Sequence, residues 1–486
     1  MSLKESFQRP TKFVLNVLVS TIIQMLNFDL LRCRKNAEMK RRPSRERSGH
    51  QNPQEDKSGS TQKETTKNGT GFKSFILATG LRIVTHVFLF DYLIKSPEFT
   101  TPWNSVERLK EAVYIVDEYA ISAYKGDNFH LMPIILKILG PFTSFPIVYH
   151  GIFIGLDIFG AVFLRNFSKK YLRKKEIEKK IEESEIENYS NLVFWMYLFN
   201  PMSIGASAVG SISTLLNFGV ILFIHCLISR KVYLAAFIMV FLIFVYPYYI
   251  VLMAPLLIAA NSKKLTTMSV VFATTGSIFA VNCLIENAKY WLPNTFYFFW
   301  SIKDLTPNVG LFWYLFVFIF DQYRLLFQWC FQLVSVVSII PLTVTLKQDP
   351  ILLTFGALAH VAILSTYPSY AEATVLLALY PVFPHIINYT RNGLISFGTI
   401  VVAMVLSPIM WRMWMITGSG NANFYFAITI VYTFALNFMA TDVFYGLSRL
   451  SFVDNCKEEK IEEPEKIPLG FKGVTPFITD PTKLVS

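Results

Sequence analysis

FPIVYHGIFIGLDIFGAVFL, residues 145–164, carries a single formal charge, Asp157, and is followed almost at once by SKKYLRKKEIEKKIEE, residues 168–183. At 1.5 Å of rise per residue, an apolar helix of this length crosses a hydrocarbon layer about 30 Å thick. Lysine and arginine crowded directly behind such a stretch mark the cytoplasmic side of a membrane. The pair therefore reads as a span followed by a cytoplasmic loop, and the rest of the chain is read outward from it.

The composition agrees. Hydrophobic residues make up 53% of the 486 and charged residues 16%, against about a quarter charged in soluble domains. Long apolar runs recur, whereas a β-barrel would show weak alternating segments of about ten residues. The net charge of +11 sits in short loops and tails, a pattern of membrane orientation and not of a nucleic-acid-binding face. No nucleic-acid partner is expected. Five cysteines, Cys33, Cys226, Cys283, Cys330 and Cys456, have no CxxC spacing, and no metal or cofactor is implied.

The preceding span is FILATGLRIVTHVFLFDYLI (75–94), and LMPIILKILGPF (131–142) is too short to cross. Further spans are expected near 191–209, 212–228, 233–246, 247–260, 265–285, 320–346, 351–366, 370–387, 394–412 and 425–447. The stretch 232–260 is read as two helices broken at Tyr246-Pro247-Tyr248. The fold class is all-α, a polytopic helical membrane protein with about twelve transmembrane helices. Residues 1–70 form an N-terminal extension with a possible anchor helix at 11–31 and a basic disordered segment. Residues 71–450 form the membrane domain, with luminal loops at 95–130, 286–314 and 413–424, and 451–486 a cytoplasmic tail. The N-x-S/T acceptors at Asn68, Asn166, Asn188 and Asn388 all fall on the cytoplasmic side or its edge, where no glycan is expected.

Three polar stretches face the lumen in this topology. In 95–130, Val106, Leu109, Val113 and Val116 recur at helical spacing, giving an amphipathic helix either on the membrane surface or packed on the protein. His130 follows, as a structural histidine at a helix start or a hydrogen-bonding group for a polar ligand. In 286–314, Trp291, Tyr297, Trp300, Trp313 and Tyr314 form an interfacial aromatic concentration. Beside them, Asp304, Thr306 and Asn308 supply turn and capping chemistry, with Pro307 suited to a first helical turn. In 413–429, Gly418-Ser419-Gly420 makes a close turn before Asn421 and Asn423, whose amides can donate and accept hydrogen bonds to sugar hydroxyls or phosphate esters. Each stretch has a plainer reading, in which the polar groups only satisfy their own backbone.

Ionisable groups inside spans are expensive unless paired. Arg82 and Asp157 are expected to pair; Glu372, Arg412 and Asp442 also stand out. No Ser/His/Asp, Cys/His or metal-ligand constellation is present, and Asp117-Glu118 is the best acidic candidate for catalysis. The Phe199-Asn200-Pro201 break, followed by Ser203-Ile204 and Gly210, resembles luminal glycosyltransferases that use dolichol-linked sugars.

DLTPNVGLFWYLF (304–316) and GSGNANFYFAIT (418–429) resemble the phosphatidylinositol-glycan class U family. Tyr124-x-Gly126-x-x-x-His130-x-x-Pro133 and Leu198-Phe199-Asn200-Pro201 match as well, although related mannosyltransferases share these shorter pieces. The resemblance runs from about Leu77 to Leu450. It implies a non-catalytic subunit of the endoplasmic reticulum transamidase that attaches glycosylphosphatidylinositol (GPI) lipids to proteins. It further implies partner subunits, including a separate caspase-like cysteine protease, and a role in presenting the GPI glycolipid and docking those partners. The candidate lipid-binding residues are Asn421, Asn423, Asp304, Thr306, Asn308, Trp313, Tyr314 and His130. The alternatives are a dolichol-phosphate-sugar-dependent mannosyltransferase of similar architecture and a lipid scramblase or permease.

Overall fold

The computed structural model describes residues 61–179 and 182–458. The expected anchor helix at 11–31, the basic segment behind it and most of the 451–486 tail lie outside the described residues.

The described residues fold into helices and short turns. In chain order the helices are α1 (Thr61–Leu93), α2 (Val106–Tyr119), α3 (Pro133–Thr143), α4 (Pro146–Lys179), α5 (Glu183–Leu198), α6 (Pro201–Val209) and α7 (Ile212–Ile228). They continue with α8 (Val232–Val245), α9 (Met253–Ala260), α10 (Lys264–Ile285), α11 (Ala288–Leu292), α12 (Phe298–Ser301) and α13 (Phe312–Phe318). The last are α14 (Asp321–Val337), α15 (Ile339–Thr345), α16 (Pro350–Leu364), α17 (Tyr370–Leu379), α18 (Pro384–Ile387), α19 (Gly393–Met415) and α20 (Ala422–Glu458).

Six stretches among the described residues are long and apolar enough to cross a membrane: 74–93, 146–175, 247–285, 321–345, 393–415 and 422–454. A seventh joins α5 and α6, bent by 45°. Five further apolar helices have only 10–17 residues, so twelve full-length spans are not established. Four of the expected spans, near 212–228, 233–246, 351–366 and 370–387, are helices of this shorter kind, and two further stretches depart from the expected loops. Asn261–Lys263, expected as a loop, is a single 3-10 turn that carries the helical run from Pro247 to Ile285. The cationic stretch after residue 164 is not a loop either, because α4 continues through it to Lys179. There Arg165 and Lys169 pair with Glu187 at 2.7 and 2.5 Å, and Arg173 pairs with Glu183 at 2.5 Å, tying α4 to α5.

The breaks follow from residue chemistry. Asn200 accepts the Met202 N–H at 3.0 Å and Pro201 occupies the first position of α6, so α5 stops and α6 starts at an angle. Gly210 ends α6 at φ 72°, and a β-carbon there would lie 2.6 Å from the Tyr149 ring. Tyr246 ends α8 immediately before the Pro247 turn, where the break was expected.

The bundle centre holds the expected ion pair. Arg82 of α1 is fully buried and donates to Asp157 Oδ2 of α4 from Nε at 2.9 Å and from a terminal nitrogen at 2.6 Å. Ser203 of α6 adds a 2.5 Å hydrogen bond to the same oxygen. Asp442 of α20 accepts the backbone N–H groups of Arg391 and Asn392 at 2.9 and 3.0 Å, placing a carboxylate at the N-terminus of α19. Glu372 completes a capping box with Ser369 and accepts from Ser213 at 2.7 Å.

Residues 95–105, expected as the start of a luminal loop, are mostly buried. Trp103, 2% exposed, stacks on Tyr246 with centroids 4.4 Å apart, and its indole N–H donates to the Tyr367 carbonyl at 3.0 Å. Glu98, 1% exposed, accepts from Ser407 of α19 at 2.6 Å and from Ser96, and its backbone carbonyl accepts the Tyr370 N–H at 2.9 Å. Burial raises the Glu98 carboxyl above the ordinary carboxylate range, and the hydroxyl donors offset only part of this. A carboxyl raised in the fold binds its proton more tightly when folded than when unfolded. Stability at this site is therefore full at acid pH and declines as pH rises from the ordinary carboxyl value through the raised one. Glu98→Gln should remove that decline and equal or exceed the parent at neutral pH. Thermal unfolding in detergent between about pH 4 and pH 8 measures it; parallel pH curves for parent and variant would refute the assignment.

Candidate functional site

The three polar stretches singled out in the sequence meet at one end of the molecule. The first pair of contacts joins 95–130 to 286–314. Helix α2 runs over the expected residues and buries Val106, Leu109 and Ala112, packing against α3, where Gly140 faces Val113. That leaves Arg108 directed at Asp304, 3.2 Å away, while another guanidinium nitrogen donates to the Asn128 carbonyl at 3.3 Å. His130 is 3% exposed and stacks on Phe298, centroids 3.5 Å apart. Its Nδ1 lies 2.9 Å from the Asn294 carbonyl. Burial pushes its pKa down to about 4, and the Asn294 carbonyl only partly offsets this. The ring is therefore neutral, with Nδ1–H donating and Nε2 left as an acceptor.

Pro293–Tyr297 is wound as a π-helical turn between α11 and α12. It brings the Asn294 side chain to the Tyr124 carbonyl at 2.6 Å. Around these groups lies a cavity of about 210 Å3, lined by Arg108, Asp127, Asn128, His130, Pro293, Asn294, Phe298, Lys303 and Asp304.

Residues 304–310 form two successive side-chain turns, not the start of a helix. Asp304 Oδ1 accepts the Thr306 N–H at 2.9 Å and also the Thr306 hydroxyl. Asn308 Oδ1 accepts the Gly310 N–H at 2.8 Å, and its amide donates to the Thr306 carbonyl at 3.2 Å. Helix α13 begins only at Phe312, so Pro307 lies in the turn and not in a first helical turn. Gly310 permits the close approach of Pro368, 2.7 Å from where a β-carbon would sit. The Asp304 N–H donates to the Tyr367 hydroxyl at 3.2 Å. Asn308 is buried, while Thr306 is exposed.

The second set of contacts joins this motif to 413–429. Tyr314 of α13 stacks on Phe426 of α20 at 4.0 Å and 12°, and its hydroxyl bonds Asn423 Oδ1. Trp313 is buried, stacked on Trp414 at 6.2 Å and in contact with Tyr425. Asn421, in the turn between α19 and α20, and Asn423, in the first turn of α20, are both exposed, and Asn421 Oδ1 caps the Asn423 N–H at 3.0 Å. Both amide oxygens are therefore engaged, and the two NH2 groups face outward with no partner among the described residues. As arranged, the asparagines offer donors, which suits acceptor-rich groups such as phosphate and glycosidic oxygens.

The eight candidate residues thus divide by role. Asn421, Asn423, Tyr314, Thr306 and Asp304 present polar atoms at the surface or a cavity wall; Asn308 and Trp313 hold the turn and aromatic cluster from within. His130 is buried in the wall of the cavity. Arg108, Lys303 and Asp127 were not singled out in the sequence, because surface charges on an amphipathic helix and in turns carry no signal of convergence. Asp117 and Glu118 lie on the exposed side of α2. Among the described residues no group of three or more His, Cys, Asp or Glu could hold a metal ion.

The family model of the GPI transamidase subunit PIG-U matches residues 76–432, which include both joined motifs and the cavity. This chain belongs to the PIG-U family. Its relatives include the mouse (Mus musculus) GPI-anchor transamidase component PIGU, 26% identical over 391 residues, a match covering 75% of this chain and 90% of the relative. The GPI transamidase component GAB1 homolog of Schizosaccharomyces pombe is 25% identical over 398 residues, covering 79% of this chain and 94% of its own. GAB1 of Saccharomyces cerevisiae, also a GPI transamidase component, is 25% identical, with 76% and 92% covered. The PIG-U match begins just inside the first apolar stretch and ends within α20, so it covers most of the helices described above.

Proposed function

We propose that this chain is a non-catalytic subunit of the endoplasmic reticulum GPI transamidase that binds the GPI glycolipid at its polar end and scaffolds the other subunits. The polar end faces the lumen, and the cysteine protease that performs the transfer is a separate chain. The observation that carries this reading is the junction of 304–316 with 418–429 through Tyr314, Asn423 and Phe426. It converts two distant polar turns into one surface that offers amide donors beside stacked aromatics, a chemistry suited to a glycolipid headgroup at the membrane interface. The names of the relatives, all GPI transamidase components, support the assignment to that complex.

The test is Asn421→Leu together with Asn423→Leu. Both side chains are exposed, so the complex should still purify intact in mild detergent. Attachment of GPI anchors to a reporter protein should fall by about tenfold or more, the effect of losing at least one net hydrogen bond. An intact complex with unchanged attachment would remove glycolipid contact from these residues; a complex that falls apart would make them part of the scaffold.

A further inference from the structure

Helix α20 packs one face against α16, α18 and α19 and turns the other outward. The outward stripe recurs at helical spacing through Phe434, Asn437, Phe438, Thr441, Tyr445 and Ser448, all but one of them past the helix midpoint and all exposed. Its hydroxyls are satisfied within the helix. Thr441 donates to the Asn437 carbonyl at 2.9 Å and Ser448 to the Phe444 carbonyl at 3.1 Å. The Asn437 carboxamide is different, because its N–H donors and its oxygen have no partner among the described residues.

The pairing of α19 with α20 sets the depth of this amide. The two helices are antiparallel: the Arg391 and Asn392 N–H groups meet Asp442 at one end, and Trp411 meets Tyr425 at the other, with centroids 5.3 Å apart. The layer that α19 crosses therefore runs along α20 from near Tyr425 to near Asp442. Asn437 lies about 7 Å of helix inside the Asp442 end of that layer. Lysine and arginine reach an interface from such a depth on their long stems, and asparagine is too short to do so. Hydrocarbon offers the amide no hydrogen bond, and an unsatisfied polar group there is costly.

We propose that this face of α20 receives a transmembrane helix of another subunit of the complex, held by a hydrogen bond between Asn437 and an amide or hydroxyl side chain of that helix. Apolar area gives little drive for association between helices in lipid; close packing and interhelical hydrogen bonds supply it, and asparagine is one of the residues that form them. Phe434 and Phe438, stacked on each other at 6.2 Å, give the incoming helix an apolar flank beside the amide. The inference rests on the chain being a subunit of a complex, but not on glycolipid contact, since Asn437 lies about 20 Å along α20 from Asn423.

The test uses the whole complex, purified in mild detergent from irradiated membranes that carry Phe438→p-benzoylphenylalanine. A cross-link to one transamidase subunit is expected. The same photoreactive residue at Phe272, on the exposed side of α10, should give none to that subunit. Asn437→Leu beside the 438 probe should lower both the cross-link and the retention of that subunit by about three- to tenfold, while Asn437→Gln should keep both near the parent. The Asn437 side chain touches nothing in its own chain, so Asn437→Leu should leave the level of this chain in the membrane unchanged. A fall in that level large enough to account for the loss would make the residue structural and overturn the proposal. Cross-linking and retention undiminished in Asn437→Leu would overturn it too, as would a 438 cross-link only to a second copy, to residues before 61 of the same chain or to lipid. Asn421→Leu/Asn423→Leu should leave the 438 cross-link intact. If no transamidase subunit co-purified with the parent, the subunit reading and this inference would fall together.

Discussion

Arg82→Met should destabilise the helical domain by about 3–5 kcal/mol, the cost of leaving a buried charge without its partner. The guanidinium is fully buried and reaches one oxygen of Asp157 through two nitrogens, with Ser203 closing the triangle. Removing it strands the carboxylate among α1, α4 and α6, where water is scarce and ionised groups are expensive. Asp157→Leu should be similarly damaging from the other side. The double variant Arg82→Met/Asp157→Leu should recover most of the loss, since a well-packed apolar pair often replaces a buried ion pair at little cost. Thermal unfolding in detergent of the two single variants and the double gives the coupling directly. A double variant no better than the worse single would show that the pair also fixes a geometry that apolar packing cannot reproduce.

Trp103→Ala should cost about 3–5 kcal/mol, as expected for deleting a large buried aromatic. Its ring covers Tyr246, and its indole N–H is a hydrogen-bond donor to the Tyr367 carbonyl. The effect should extend to the cavity, because the Tyr367 hydroxyl in turn receives the Asp304 N–H and the Tyr367 ring backs Phe298. Trp103→Phe separates the two roles. It keeps a ring against Tyr246 but orphans the carbonyl, for a cost of about 1–3 kcal/mol. Unfolding midpoints test this. If Trp103→Ala left the midpoint unchanged, residues 95–105 would be dispensable to the core, contrary to their burial.

Much of the architecture was legible because it is written in local chemistry. The limits of α2 follow from apolar residues at helical spacing, and the breaks at Asn200-Pro201 and Tyr246-Pro247 from residues that end helices. The Arg82–Asp157 pair was legible for a different reason: two lone charges in adjacent spans have few other ways to be accommodated. The span count was not. Hydropathy registers apolar composition, and α7, α8, α16 and the α17 stretch are apolar without being long. Asn261–Lys263 looked like a loop because polar residues mark loops and interfacial helical turns alike. At the polar end, the motif residues were visible as motifs, but their partners were not. Arg108 and Asp304 lie 196 residues apart, and the burial of Glu98 depends on Ser407, 309 residues away. Such pairings exist only once the chain is folded.

The π-helical turn at Pro293–Tyr297 has a consequence for how the cavity works. Asn294 is fastened twice to the segment before α3, giving a hydrogen bond to the Tyr124 carbonyl and receiving one from His130. The two sides of the cavity are thus sewn to each other by the protein itself, and neither can part from the other without breaking both stitches. The frame of the cavity is joined before anything enters it. Entry into the cavity does not require these two segments to be brought together, and only side chains such as the exposed Asp127 and Lys303 remain to be ordered.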